Sequence, residues 1–164
     1  MQNLAQRVRE IMTENIYINI TTCSRDAEPR DTPVYAVHDD MLNFFRRSRI
    51  KSDHSQNIQH HENVFITIYD STRPLGTNHQ RCIYIKAKAY EITKQEEIEK
   101  ILALFTNNTL TADNFLGESV KRVYKAIPEK IRLNDKSESE VTADTTTMRV
   151  EVSLEEIINL LHIP

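Results

Sequence analysis

Between Arg81 and Ile92 the chain sets Ile83, Ile85, Ala87 and Ala89 against Tyr84, Lys86 and Lys88. A period of two kept up over that length describes a long strand with one face in a core and the other toward solvent. Ile16–Cys23 repeats the pattern, with Ile16, Ile18 and Ile20 opposed to Tyr17, Asn19 and Thr21. Val64–Tyr69 does so again, with Val64, Ile66 and Ile68 opposed to Phe65, Thr67 and Tyr69. Shorter strands are expected at Pro33–His38, Met41–Phe45, Lys130–Leu133 and Met148–Val152. A chain with this many strands has to bury their apolar faces in a common sheet or barrel.

Helical spacing interrupts the strands. Leu4, Val8, Ile11 and Met12 place an amphipathic helix over residues 3–14. A second helix is predicted at Thr93–Phe105, with Thr93 as N-cap, Glu96 completing a capping box, and Ile98, Ile101, Leu102 and Phe105 as its stripe. Asn114–Ala126 and Leu154–Leu161 read as two more. Asp70–Gln80 and Thr106–Asp113 are polar connections, and 135–147, rich in Ser, Thr, Asp and Glu, is expected to be a mobile hairpin or insertion. The expected class is mainly β (α+β): a six-stranded, mostly antiparallel Greek-key barrel with peripheral helices, residues 1–164 forming a single domain.

The stretch from Met41 to Ser71 carries the chemistry. A short apolar run ends abruptly in Arg46, Arg47, Ser48 and Arg49, followed by Lys51, Ser52, Asp53, His54, Ser55 and Asn57 at the start of a short helix. Cations and hydroxyls at a strand-to-helix junction suit an anion, because free N–H groups and the helix dipole converge there. Arginine forks match phosphate oxygens well. Arg46 and Arg47 are adjacent on a strand and point to opposite faces, so only one can meet the ligand directly, and the sequence leaves the choice open. Ser48 and Ser52 offer hydroxyl donors, and Asn57 is placed to order the loop. The alternative is a solvated strand end with His54 as a simple cap.

The net charge of −3 argues against a general nucleic-acid binder, which makes the cationic cluster local. Cys23 and Cys82 suit free thiols in a reducing compartment. With no signal peptide and no apolar run long enough to span a bilayer, a cytoplasmic protein without a membrane partner is expected. His54, His60, His61 and His79 lack zinc-ligand spacing, so no metal is assigned.

The order of elements, together with Ser52-Asp53-His54-Ser55-Gln56-Asn57-Ile58 after an Arg/Ser strand, resembles the pyridoxamine 5′-phosphate oxidase-related family of FMN-binding split β-barrels. The resemblance runs from about Leu4 to Leu161 and includes Arg122-Val123-Tyr124-Lys125-Ala126-Ile127-Pro128, similar to the family's R-x-Y-[KR]-A-x-P passage. It implies FMN at a homodimer interface and backbone contacts from Val34 and Tyr35 to the flavin ring edge. It also implies phosphate contacts from Arg46 or Arg47, Ser48, Ser52 and His54, and places Cys82 and Tyr84, on a strand at the dimer interface, near the cofactor. His54 stands where the oxidases carry a lysine; if it replaces that charge, affinity should fall as pH rises past the histidine pKa. Ala27-Glu28 stands where the family's hairpin turn commonly has glycine.

The implied function is an FMN-dependent oxidoreductase acting on a small molecule, the flavin carrying the redox chemistry. No acid, base or nucleophile stands out, and no catalytic residue is named. A true pyridoxamine phosphate oxidase is not expected, since no R-x-H follows Arg122. The alternatives are a flavin- or ligand-binding module without turnover, a barrel that has lost its cofactor, one that binds deazaflavin F420, or, more distantly, one that handles heme.

Overall fold

The structure, a computed structural model, describes residues 3–72, 81–106, 108–134 and 149–161. Among the described residues eight strands form one antiparallel sheet: β1 (Tyr17–Cys23), β2 (Pro29–Tyr35), β3 (Val37–His38), β4 (Phe44–Arg49), β5 (Asn63–Tyr69), β6 (Cys82–Ile92), β7 (Lys121–Asn134) and β8 (Arg149–Val152). Their hydrogen-bonded order is β2-β1-β5-β6-β7-β4-β3, with β8 added to β7. The two ends of that order, β2 and β3, are consecutive in the chain, so the sheet curls back on itself. The expected strand Pro33–His38 is therefore two strands, broken at Ala36, whose N–H donates to the Ile16 carbonyl at 3.4 Å. That break turns the seven stretches read as strands into eight, the expected Met148–Val152 being β8, against the six of the expected barrel.

Strand β7 is where the barrel splits. Its first half, Lys121–Ala126, pairs with β4, and its second half, Ile131–Asn134, pairs with β8. Between them Pro128 has no N–H to give, and the register with β6 shifts between Lys86 and Ala87, a bulge that bends the strand. The helix predicted over Asn114–Ala126 is absent. Ala112–Phe115 makes a short 3-10 helix, Gly117 turns at φ 55, and Val123, Tyr124 and Ala126 are drawn into the sheet by pairing on both edges.

Among the described residues four α-helices surround the sheet: α1 (Leu4–Glu14), α2 (Asp53–His60), α3 (Gln95–Leu102) and α4 (Leu154–Leu161). Helix α1 is capped by Asn3, whose side chain accepts from the Ala5 N–H at 2.8 Å. Ile18, Ile20, Ile66, Ile68, Ile83 and Ile85 fill the barrel, closed by Val8 and Ile11 of α1 and Ile157 of α4. A second core under α3 gathers Phe45, Ile92, Ile98, Ile101, Phe105 and Phe115. Helix α3 starts one residue later than predicted, with Lys94 in place of Thr93 at its N-cap and no side-chain capping bond; a capping box falls instead at Thr111 and Asn114. Ile16 precedes β1 and is exposed, so the inward face holds Ile18, Ile20 and the buried Thr22. The expectations for 135–147 and for most of the loop before Arg81 lie outside the described residues.

Turn geometry moved another boundary. Met41 and Leu42 are not in a strand: Asp39 accepts from the N–H groups of Met41 (3.0 Å) and Asn43 (2.8 Å), and β4 begins at Phe44. Leu42 adopts φ 63 with its side chain fully buried, a left-handed conformation held by that turn and by core packing. Ala27 is also left-handed, at φ 62, in the hairpin between β1 and β2. Its side chain is exposed, so nothing rewards the Cβ. Ala27→Gly is expected to raise stability by about 0.5–1 kcal/mol, read as a shift in the denaturant midpoint at constant m.

Candidate functional site

Strand β4 ends at Arg49, and three residues later the chain enters α2 with Ser52 as N-cap. Strand β2 passes alongside. Together they form an open cleft of about 220 Å³ lined by Thr32, Pro33, Val34, Tyr35, Arg47, Ser48, His54 and Phe105. Five of the eight residues singled out from sequence thus meet in one place.

Alternation along β4 separates the two arginines. Arg47 faces the cleft: one guanidinium N–H donates to the Asn108 side-chain oxygen at 2.9 Å, and the fork lies 4.3 Å from the centre of the Phe105 ring. Phe105 in turn packs edge-on against Tyr35, 5.8 Å between centroids. Arg46 turns the other way, into the barrel, where it stacks on the ring of its cross-strand partner Tyr124 at 4.6 Å. Burial lowers its pKa to about 10, which leaves it charged at neutral pH, with Tyr124 acting weakly in the opposite direction.

Hydroxyls and one imidazole bridge the cleft to the helix start. Ser48 Oγ lies 2.7 Å from His54 Nε2, and Ser52 Oγ lies 3.0 Å from it. Ser52 also donates to the Arg49 carbonyl at 2.8 Å and stands 2.9 Å from both Ser48 Oγ and Ser55 Oγ. Asn57 sits beneath α2, donating to Thr22 Oγ1 at 2.9 Å in a buried contact that pins the helix to β1. It orders the segment without reaching the cleft.

Burial, then the nearby Arg46 charge, push the His54 pKa down to about 4, with Asp53 acting against them. At neutral pH the imidazole is uncharged, so it meets an anion as a hydrogen-bonding group and not as a cation. The expected weakening of binding above an ordinary histidine pKa therefore has no free-state titration behind it. The lowered pKa bears on stability instead. The unfolded chain takes up this proton near pH 6.5 and the folded chain only near 4. Stability that is fully present above about pH 6.5 is lost as pH falls toward 4. His54→Asn is expected to flatten that part of the profile, measured by urea midpoints between pH 7 and 4.

Thr32, Pro33, Phe105 and Asn108 were not singled out by sequence. Phe105 is the last member of the helical stripe and reads as core, which it also is. Asn108 meets Arg47 across sixty-one positions, a tertiary contact that no local pattern announces.

No family model and no curated protein matches the chain. Solved structures do, at identities that speak to fold alone. A heme binding protein from Mycobacterium smegmatis aligns with TM-score 0.72 at 12% identity, covering 97% of this chain and 61% of that one. HutZ, the heme storage protein from Vibrio cholerae, gives 0.66 at 14% over 80% of this chain and 95% of its own. A candidate pyridoxamine 5′-phosphate oxidase from Listeria innocua gives 0.57 at 19% over 82% and 100%. The chain thus spans about three-fifths of the Mycobacterium smegmatis protein. The chain shares with these proteins the curled antiparallel sheet of a split barrel.

Proposed function

We propose that the cleft binds FMN by its phosphate, and that the protein is an FMN-binding, oxidoreductase-like homodimer of the pyridoxamine 5′-phosphate oxidase-related group. One observation carries this reading: Arg47, Ser48 and His54 converge with the β2 residues Val34 and Tyr35 in a single cleft. Arg47 is held in plane by Asn108 and Phe105, so its remaining N–H groups are pre-oriented for phosphate oxygens. The Ser48–His54–Ser52 cluster supplies neutral hydrogen-bonding groups beside it. Arg49 and Lys51, both exposed, add positive potential at the rim.

The cleft, at about 220 Å³, is smaller than the roughly 300–1,000 Å³ typical of complete small-molecule sites. It suits the phosphate and sugar chain, and Val34 and Tyr35 of β2 would hold the edge of the flavin ring in the proposed homodimer. FMN would supply the hydride and electron transfer; this chain's residues bind, orient and exclude water. Cys23 and Cys82 are free thiols, in keeping with a cytoplasmic setting.

The heme-binding neighbours favour heme as the second reading, with the same cations serving its carboxylates. Absorption spectra after addition of FMN, F420 or heme and exhaustive dialysis separate the cases. A retained flavin band, bleached by NAD(P)H, supports the oxidoreductase reading. Retained flavin that NAD(P)H leaves unchanged favours a module without turnover. A Soret band alone favours heme, and no retained chromophore overturns the cofactor assignment.

A further inference from the structure

Among the described residues Arg46 is the only buried charged side chain, 4% exposed. Neither of its terminal nitrogens has a hydrogen-bond partner among the protein's atoms, and the same holds for the Tyr124 hydroxyl. Ser55 lies near that hydroxyl and acts against the upward push of burial on its pKa, but the pair does not reach hydrogen-bond geometry. The carboxylate registered opposite Tyr124, Glu91, is engaged by Arg122 at 3.0 Å. A guanidinium has five donors and no acceptor, so stacking on the Tyr124 ring answers part of its charge and none of its N–H groups. Proteins rarely leave such groups unanswered.

Both side chains line a small space inside the barrel, about 10 Å³, whose other walls include Ile18, Phe44, Phe45 and Ala89. That space is on the scale of one water molecule or a single small ion. Phosphate or a carboxylate is too large for it. A water would accept a hydrogen bond and bring no charge, whereas a monatomic anion answers both deficits. We infer that the barrel interior holds a halide site, occupied by a single chloride ion between the Arg46 guanidinium and the Tyr124 hydroxyl. The site lies on the other face of β4 from the cleft, since Arg46 and Arg47 point in opposite directions, although the Arg46 charge is still felt at His54.

The test compares thermal unfolding in sodium gluconate, chloride, bromide and iodide at one ionic strength. Chloride should raise the wild-type Tm by about 3 °C or more over gluconate, and iodide, the largest, by the least. The chloride increment should vanish in Arg46→Met and shrink in Tyr124→Phe. Anomalous diffraction from bromide-soaked wild-type crystals should place a peak between the two side chains, which decides the matter even if a variant fails to fold. An unchanged wild-type Tm across the four salts, an increment that persists in Arg46→Met, or a water in place of the anomalous peak would overturn the inference.

Discussion

Arg47→Ala is expected to weaken FMN binding by about ten- to a hundredfold, the cost of one charge-assisted contact to phosphate. The fold should survive, because the guanidinium sits at the cleft surface and its structural contacts are confined to Asn108 and Phe105. Arg47→Lys should recover only part of the loss, since a lysine keeps the charge without the planar fork that Asn108 and Phe105 orient. Titration by flavin fluorescence, with near-ultraviolet dichroism to verify folding, gives the result directly. Equal affinity in wild type and Arg47→Ala would remove the phosphate from this face of β4.

The second large effect is in the core. Ile85 is fully buried and lies in register with Ile66 on β5 and Ile131 on β7, each also fully buried. This row of three runs across the middle of the curled sheet. Ile85→Ala removes its central member, and its neighbours are fixed by backbone pairing, so the gap cannot collapse. A loss of about 2–5 kcal/mol is expected, with a fall in Tm on the order of 10 °C. A change below about 1 kcal/mol would mean that the barrel interior is not packed around this row.

The strands whose side chains alternate cleanly were legible from sequence because period two leaves a direct trace. Ile83, Ile85, Ala87 and Ala89 all face inward as expected, and so do Val64, Ile66 and Ile68. Where sequence misled, a non-local term decided. Val123, Tyr124 and Ala126 carry helix-compatible spacing, yet β4 and β6 offer them pairing on both edges. Met41 and Leu42 look like strand until Asp39 is seen to collect the backbone donors of the turn.

The same division holds for the site. Val34, Tyr35, Arg47, Ser48 and His54 were found from the junction and the family resemblance together, and they do share a cleft. The alternation rule required Arg46 and Arg47 to diverge; which one faces outward depends on the curl of the sheet. That His54 is neutral stems from burial and from the hidden Arg46 charge, two facts of tertiary structure. Of the two residues that orient Arg47, Phe105 reads from sequence only as the end of a helical stripe, and Asn108 belongs to no local motif.

Every role proposed for the cleft depends on the phosphate, so the most direct measurement compares FMN with riboflavin, which has the same ring and sugar chain without the phosphate. Isothermal titration of both ligands into the wild-type protein should show FMN binding at least about a hundredfold tighter, with Arg47→Ala closing most of that gap. Riboflavin binding as tightly as FMN, or a gap that Arg47→Ala leaves intact, would contradict a phosphate held by Arg47, Ser48 and His54.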